Sequence, residues 1–213
     1  QGNLATVDDA RLDPLWQTAG ELNIPVTIHV ADPAAFFLPL DAANERWDEL
    51  HAHPDWHFPS PPYPSFMEIM TQLESLIARH PATTFIGAHV GCYAENLAWV
   101  ARMLDHYPNF YVDISARISE LGRQPHTARR FFLNYCDRIL FGTDAGPSVP
   151  TYQTYYRFLE SDDDYFSYDG QAVPSQGRWS IFGLFLPEDV LEKVYRLNAS
   201  RVLNLSVTEG HNG

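Results

Sequence analysis

Residues 24–30 read IPVTIHV, residues 83–90 read TTFIGAHV and residues 138–145 read RILFGTDA. Each is a short run of β-branched, aliphatic and aromatic residues running into Gly, Pro or Asp, the pattern of a strand that feeds a loop. Each also carries a reactive side chain at its end: His29, His89 and Asp144. In a parallel α/β fold the carboxyl ends of the strands share one rim, and active sites are built there. Two imidazoles and a carboxylate meeting on such a rim suit a metal site or a proton-transfer site.

A fourth run, FYVDIS at 110–115, brings Asp113 and Ser115 to the same level. Helical patterns separate the runs. Leu12, Leu15, Trp16, Ala19 and Leu22 form an apolar stripe over 10–22, with Asp8 or Asp9 as cap. Ser65 caps a second helix with Phe66, Ile69, Met70, Leu73, Leu76 and Ile77 on one face. Others are expected from Leu97 to before Pro108, near 126–136, and from Pro187 onward. Helix and strand in alternation imply crossover connections and a parallel sheet.

His29 and His89 are 60 residues apart, His89 and Asp113 24, and Asp113 and Asp144 31. A (β/α)8 barrel of about 250 residues allots roughly 30 to each strand–helix unit. The last two spacings fit one unit each; the first fits one unit plus an insertion. That insertion, 31–64, holds seven prolines with His51, His53 and His57. It reads as a functional loop or lid. A second irregular segment is expected at 146–183, containing the acidic run Asp162–Asp164. The chain, 1–213, thus reads as a single α/β domain whose four strands make half of an eight-stranded TIM-type barrel.

Composition bounds the partners. The chain is 45% hydrophobic and 14% aromatic, a globular composition. Its net charge of -13 offers no basic cluster for nucleic acid or an anionic membrane. No run of about 18 apolar residues predicts a transmembrane helix. Cys92 and Cys136 are expected as reduced, half-buried thiols rather than a disulfide framework. The partner expected is a small-molecule substrate, and the compartment expected is the cytoplasm. Because Gln1 is not an initiator methionine, secretion stays open.

The three runs, in this order and spacing, together with the closing NASRVLNL helix, resemble the carboxyl half of the amidohydrolase-related (amidohydrolase 2) family of metal-dependent hydrolases. The resemblance implies a (β/α)8 barrel of which this chain covers strands 5–8. It also implies a divalent metal, zinc in most members and manganese in some, held by a His-x-His pair on strand 1, a His on strand 5 and an Asp on strand 8. By that resemblance His29 matches the strand 5 ligand, His89 the strand 6 histidine beside the metal, and Asp144 the strand 8 ligand. The chain departs from the pattern in lacking a strand His-x-His. Its one such motif, His51-Ala-His53, lies in the proline-rich insertion. Two of four ligands are therefore expected here, which puts metal occupancy of this chain in question.

In such a site Asp144 would take a proton from an attacking water, and His89 would serve the oxyanion or the leaving group. The resulting expectation is a metal-dependent hydrolase of a small ester, lactone or amide, perhaps carrying a carboxylate. The alternatives are a non-oxidative decarboxylase of a small aromatic acid and a non-catalytic barrel fragment. Cys92 stands where some decarboxylating relatives carry a Glu, which favours hydrolysis. Each residue has a purely structural reading as well: the histidines as hydrogen-bonded core groups, Asp144 as a turn residue, Asp113 as a support for the site or a polar strand end. Arg117 and Arg123 could bind a substrate carboxylate, but are expected on the surface. Half a barrel would expose two strand edges. The chain is therefore expected to belong to a longer polypeptide or to pair with another chain, for example as a homo-oligomer.

Overall fold

Four parallel strands form the centre of the computed structural model, which describes residues 6–205. They are β1 (Val26–Ile28), β2 (Phe85–Gly87), β3 (Phe110–Asp113) and β4 (Ile139–Leu140), side by side in chain order. The register sets Val26 against Phe85, Phe85 against Phe110, and Val112 against Ile139. All four runs expected as strands are present, each shorter than expected because pairing stops where the chain turns into the rim loops. Sequential parallel pairing with a helix between strands is the α/β architecture expected. Among the described residues the sheet is open: β1 and β4 each pair on one side only.

The connecting helices are the ones the apolar spacing calls for. Helix Phe66–Arg79 starts in a capping box, with Ser65 Oγ accepting from the Glu68 amide and Glu68 returning to the Ser65 amide. It buries Phe66, Met70, Leu73, Leu76 and Ile77, about 1.5–3 kcal/mol for each large apolar side chain. Leu97–His106 links β2 to β3, and Ile118–Gly122 with Pro125–Tyr135 links β3 to β4. Phe85, Phe110, Phe132, Leu73 and Met103 fill the space between sheet and helices with almost no exposure. The final helix, Glu188–Glu192 through Asn198–Val202 with a π-helical turn at Lys193–Leu197, is fastened to the start of β4. Buried Asn198 does this by donating to the carbonyls of Cys136 and Ile139.

Three expectations need correction. The stretch 146–183 is not wholly irregular, because Val149–Glu160 is a helix capped by Ser148. The insertion 31–64 carries helix Trp47–Ala52 and 3-10 turns at Ala34–Phe37 and Pro54–Trp56. The helix over 10–22 forms as a 3-10 turn followed by Asp13–Glu21, but its apolar stripe is largely uncovered among the described residues: Leu15 and Leu22 are 58% and 62% exposed. Only Trp16 reaches the core, edge-on to Phe85. Among the described residues no helix is long and apolar enough to cross a membrane.

Candidate active site

The rim above β2 is built from unusual backbone. A Cβ at Gly87 would lie 2.7 Å from the Phe110 ring and 2.8 Å from Gly91 Cα, so only glycine lets the chain fold back there. His89, Val90, Gly91 and Cys92 then all have φ between 57° and 65°, a left-handed turn closed by the Cys92 amide donating to the Ala88 carbonyl at 2.8 Å. L-residues pay roughly 1–2 kcal/mol each for that conformation. The turn swings the His89 ring over the strand ends. Ala116, after β3, and Asp144, after β4, also have positive φ.

Two hydrogen-bond systems fix His89. The Asp113 carboxylate accepts from the His89 amide at 3.0 Å and from the Ser115 amide at 2.9 Å. The Ser115 carbonyl accepts from His89 Nδ1 at 2.8 Å. A carbonyl can only accept, so Nδ1 carries the proton and Nε2 keeps its lone pair. Nε2 lies 3.9 Å from the exposed Asp144 carboxylate. The His29 ring stands nearly perpendicular to that of His89, with centroids 4.7 Å apart. Burial, helped by the positive charge of Arg117, pulls the His89 pKa below the ordinary imidazole value. The ring is therefore neutral at pH 7 and able to accept a proton.

His29, His89 and Asp144 open into one cleft of about 300 Å³. Its walls include Phe36 and Trp56, whose rings are nearly parallel, and Arg46, Glu49, Arg117 and Gln176. The structure thus brings together the three residues on which the sequence reading turned. Asp113 acts through the backbone of His89. Arg117 departs from expectation: it is 6% exposed and lines the cleft instead of the surface. Arg123 is half-buried, paired with Glu45 and stacked on Trp179. His51 and His53 lie outside the cleft, His53 stacked on the Trp56 ring. Cys92 is buried and its thiol is pushed up, so it serves as packing.

Sequence reasoning missed Arg46 and Glu120. Arg46, in the proline-rich insertion, is 1% exposed and bonds both to Glu49 at 2.8 Å and to fully buried Glu120. One arginine amid ANERWDEL was the available signal; its partner lies 74 residues away.

The donor chemistry at the rim suits zinc or manganese, but the set is incomplete. Among the described residues no group of three His, Cys, Asp or Glu side chains is placed to hold an ion. His29 Nε2 donates to the Ala31 carbonyl at 3.2 Å, leaving only Nδ1 as a free donor atom. The residues of this chain do not by themselves fit a metal centre. They do bring His89 Nε2 and the Asp144 carboxylate face to face across the cleft at 3.9 Å.

Comparison with solved structures returns the same architecture. An uncharacterized TIM-barrel protein from Bordetella bronchiseptica aligns with a TM-score of 0.52 at 18% identity, over 96% of this chain and 54% of the other. A 2,6-dihydroxybenzoate decarboxylase, solved with 2,6-dihydroxybenzoate, aligns with a TM-score of 0.53 at 20% identity, over 94% and 57%. The chain spans about half the length of these structures, and the likeness shows the fold alone. No curated protein sequence matches it. A parallel α/β sheet with rim residues His29, His89 and Asp144 agrees with a match of the amidohydrolase family model over residues 1–205, and the chain belongs to that family.

Proposed function

We propose that this chain carries the proton-transfer side of an enzyme that hydrolyses a small ester, lactone or amide. The observation that supports it is the double anchoring of His89, backbone through Asp113 and ring through Ser115, which directs a neutral Nε2 toward Asp144. A water between them loses a proton to Nε2 as its oxygen attacks the substrate carbonyl. The imidazolium formed is stabilised by the Asp144 carboxylate and returns the proton to the leaving group. Members of the superfamily generally bind a divalent metal. In our reading His29 and Asp144 are this chain's donors toward it, and no step above depends on the ion. The open edges of β1 and β4 would be covered by further strands, from the same polypeptide or a second copy, that complete a barrel and the donor set.

The test is a panel of aryl esters, lactones and anilides, with benzoic acids alongside, given to the purified protein with and without added zinc or manganese. Expected are proton release with water consumed, and a fall in kcat of about 10²–10⁴-fold in His89→Asn. Unchanged turnover in that variant would refute the role of His89. Release of CO2 from the acids without water consumption would replace hydrolysis by decarboxylation.

A further inference from the structure

Arg117 is buried yet unpaired. It is 6% exposed, and among the described residues its one side-chain hydrogen bond runs from Nη1 to the carbonyl of Ala116 at 2.7 Å. Among the described residues it makes no ion pair. Its neighbours differ: Arg46 is occupied by Glu49 and Glu120, and Arg123 by both oxygens of Glu45 at 2.7 and 3.0 Å. A guanidinium has five N–H donors, so most of the donors of Arg117 have no acceptor among the described residues. A buried charge left this way is costly unless something else pairs with it.

The position of Arg117 identifies that partner. It lines the same cleft as His29, His89 and Asp144, and its field reaches the His89 ring. Other charged groups line the cleft: Glu49 is taken by Arg46, and Asp32 and Asp144 are acceptors that favour a cation. Arg117 is thus the cleft's one unpaired cation among the described residues. The turn that places it is held by Ala116 at φ 50°, whose amide donates to the buried hydroxyl of Tyr155 at 2.9 Å. Phe36 and Trp56 supply apolar wall.

We infer that Arg117 is a specificity residue that anchors a substrate carboxylate, so that the substrate is a small carboxylic acid with an apolar body, its reacting carbonyl a few atoms from the anchored carboxylate. This rests on the reading of the cleft as the substrate site.

The experiment measures binding, which does not require the true substrate. Benzoate and cyclohexanecarboxylate are compared with benzamide and cyclohexanecarboxamide by calorimetry on the wild-type protein, Arg117→Met, Arg117→Lys and His89→Asn. A charge-assisted bidentate pair predicts a wild-type preference for the carboxylates of roughly 10- to 100-fold. The preference should vanish in Arg117→Met. It should be reduced but present in Arg117→Lys, which keeps the charge and loses the fork. His89→Asn should keep it in full while losing turnover, which separates this inference from the proposed reaction. Equal wild-type affinity for acid and amide overturns the assignment, as does a carboxylate preference retained by a folded Arg117→Met. Should Arg117→Met fail to fold, the wild-type comparison and Arg117→Lys decide: a preference as large in Arg117→Lys as in wild type also overturns it.

Discussion

Replacing Arg46 by leucine leaves the carboxylate of Glu120, fully buried, without its cation. Removing one member of a buried pair costs about 3–5 kcal/mol, mostly from the stranded charge. The Glu49 bond at 2.8 Å goes as well, with the packing of the guanidinium over Trp179 at 5.7 Å. A domain of ordinary stability holds about 5–15 kcal/mol, so Arg46→Leu should remove at least about a fifth of it. Glu120→Leu should cost less, because Arg46 keeps its ion pair with Glu49 at 2.8 Å. The double variant removes both charges and, by the same reasoning, should lie within about 2 kcal/mol of wild type. Ser119 Oγ, which donates to Glu120 at 2.7 Å, still reaches Gln176 at 3.1 Å. Urea unfolding followed by circular dichroism reads the cycle; at a slope of about 2 kcal/mol/M, Arg46→Leu shifts the midpoint by about 2 M. Arg178→Ala is the control, because its pair with Asp48 is 70% and 41% exposed and should be worth under about 1 kcal/mol. A loss below 1 kcal/mol in Arg46→Leu, or additivity in the double variant, refutes the reasoning.

Glu95 has its Oε2 shielded from water without a partner, and burial raises its pKa above the ordinary 4.5. A carboxyl with a raised folded pKa contributes stability that is complete below its unfolded value and lost as pH rises through the folded one. Glu95→Gln, which keeps the acceptor for the Ala34 amide, should therefore stabilise the protein at pH 8, by about 1–3 kcal/mol, and have almost no effect at pH 4. Equal effects at both pH values in thermal unfolding would contradict this account. Gly87→Ala places a methyl 2.7 Å from the Phe110 ring and 2.8 Å from Gly91 Cα. It should cost about 1–3 kcal/mol by overpacking and lower activity by displacing the turn that carries His89; a variant with wild-type melting and turnover would count against that tight fit.

The strands were legible because β-branched and aromatic runs next to Gly and Asp have few other uses, and their ends were legible because chemistry clusters there. What escaped the sequence depends on partners far along the chain. Val149–Glu160 was passed over because Thr, Gln and Tyr dilute its stripe; only Tyr155, Phe158 and Leu159 are buried, although Ser148 and Pro150 signal a helix start. Arg46 sits among prolines and acids, and nothing local shows that Glu120 is waiting for it. Arg117 was expected on the surface because SARISE looks like an exposed turn. Its burial follows from the left-handed Ala116, which redirects the chain inward. The left-handed turn at 89–92 contains a single glycine in HVGC, too little to announce four such residues.

That turn also explains why the site lies where it does. His89, Val90, Cys92, Ala116 and Asp144 are five non-glycine residues in a conformation each enters at a cost of at least about 1 kcal/mol. They follow β2, β3 and β4, the loops that also carry His89, Arg117 and Asp144. The structure holds them there by interactions with no other evident purpose: the Asp113 carboxylate on two amides, the Tyr155 hydroxyl on Ala116, and fully buried Val90 packed in the core. A rim free to relax would let the His89 ring rotate and lose its approach to Asp144. Local strain, held by the core beneath it, gives the imidazole one orientation before any substrate arrives, which is what proton transfer at a fixed distance requires.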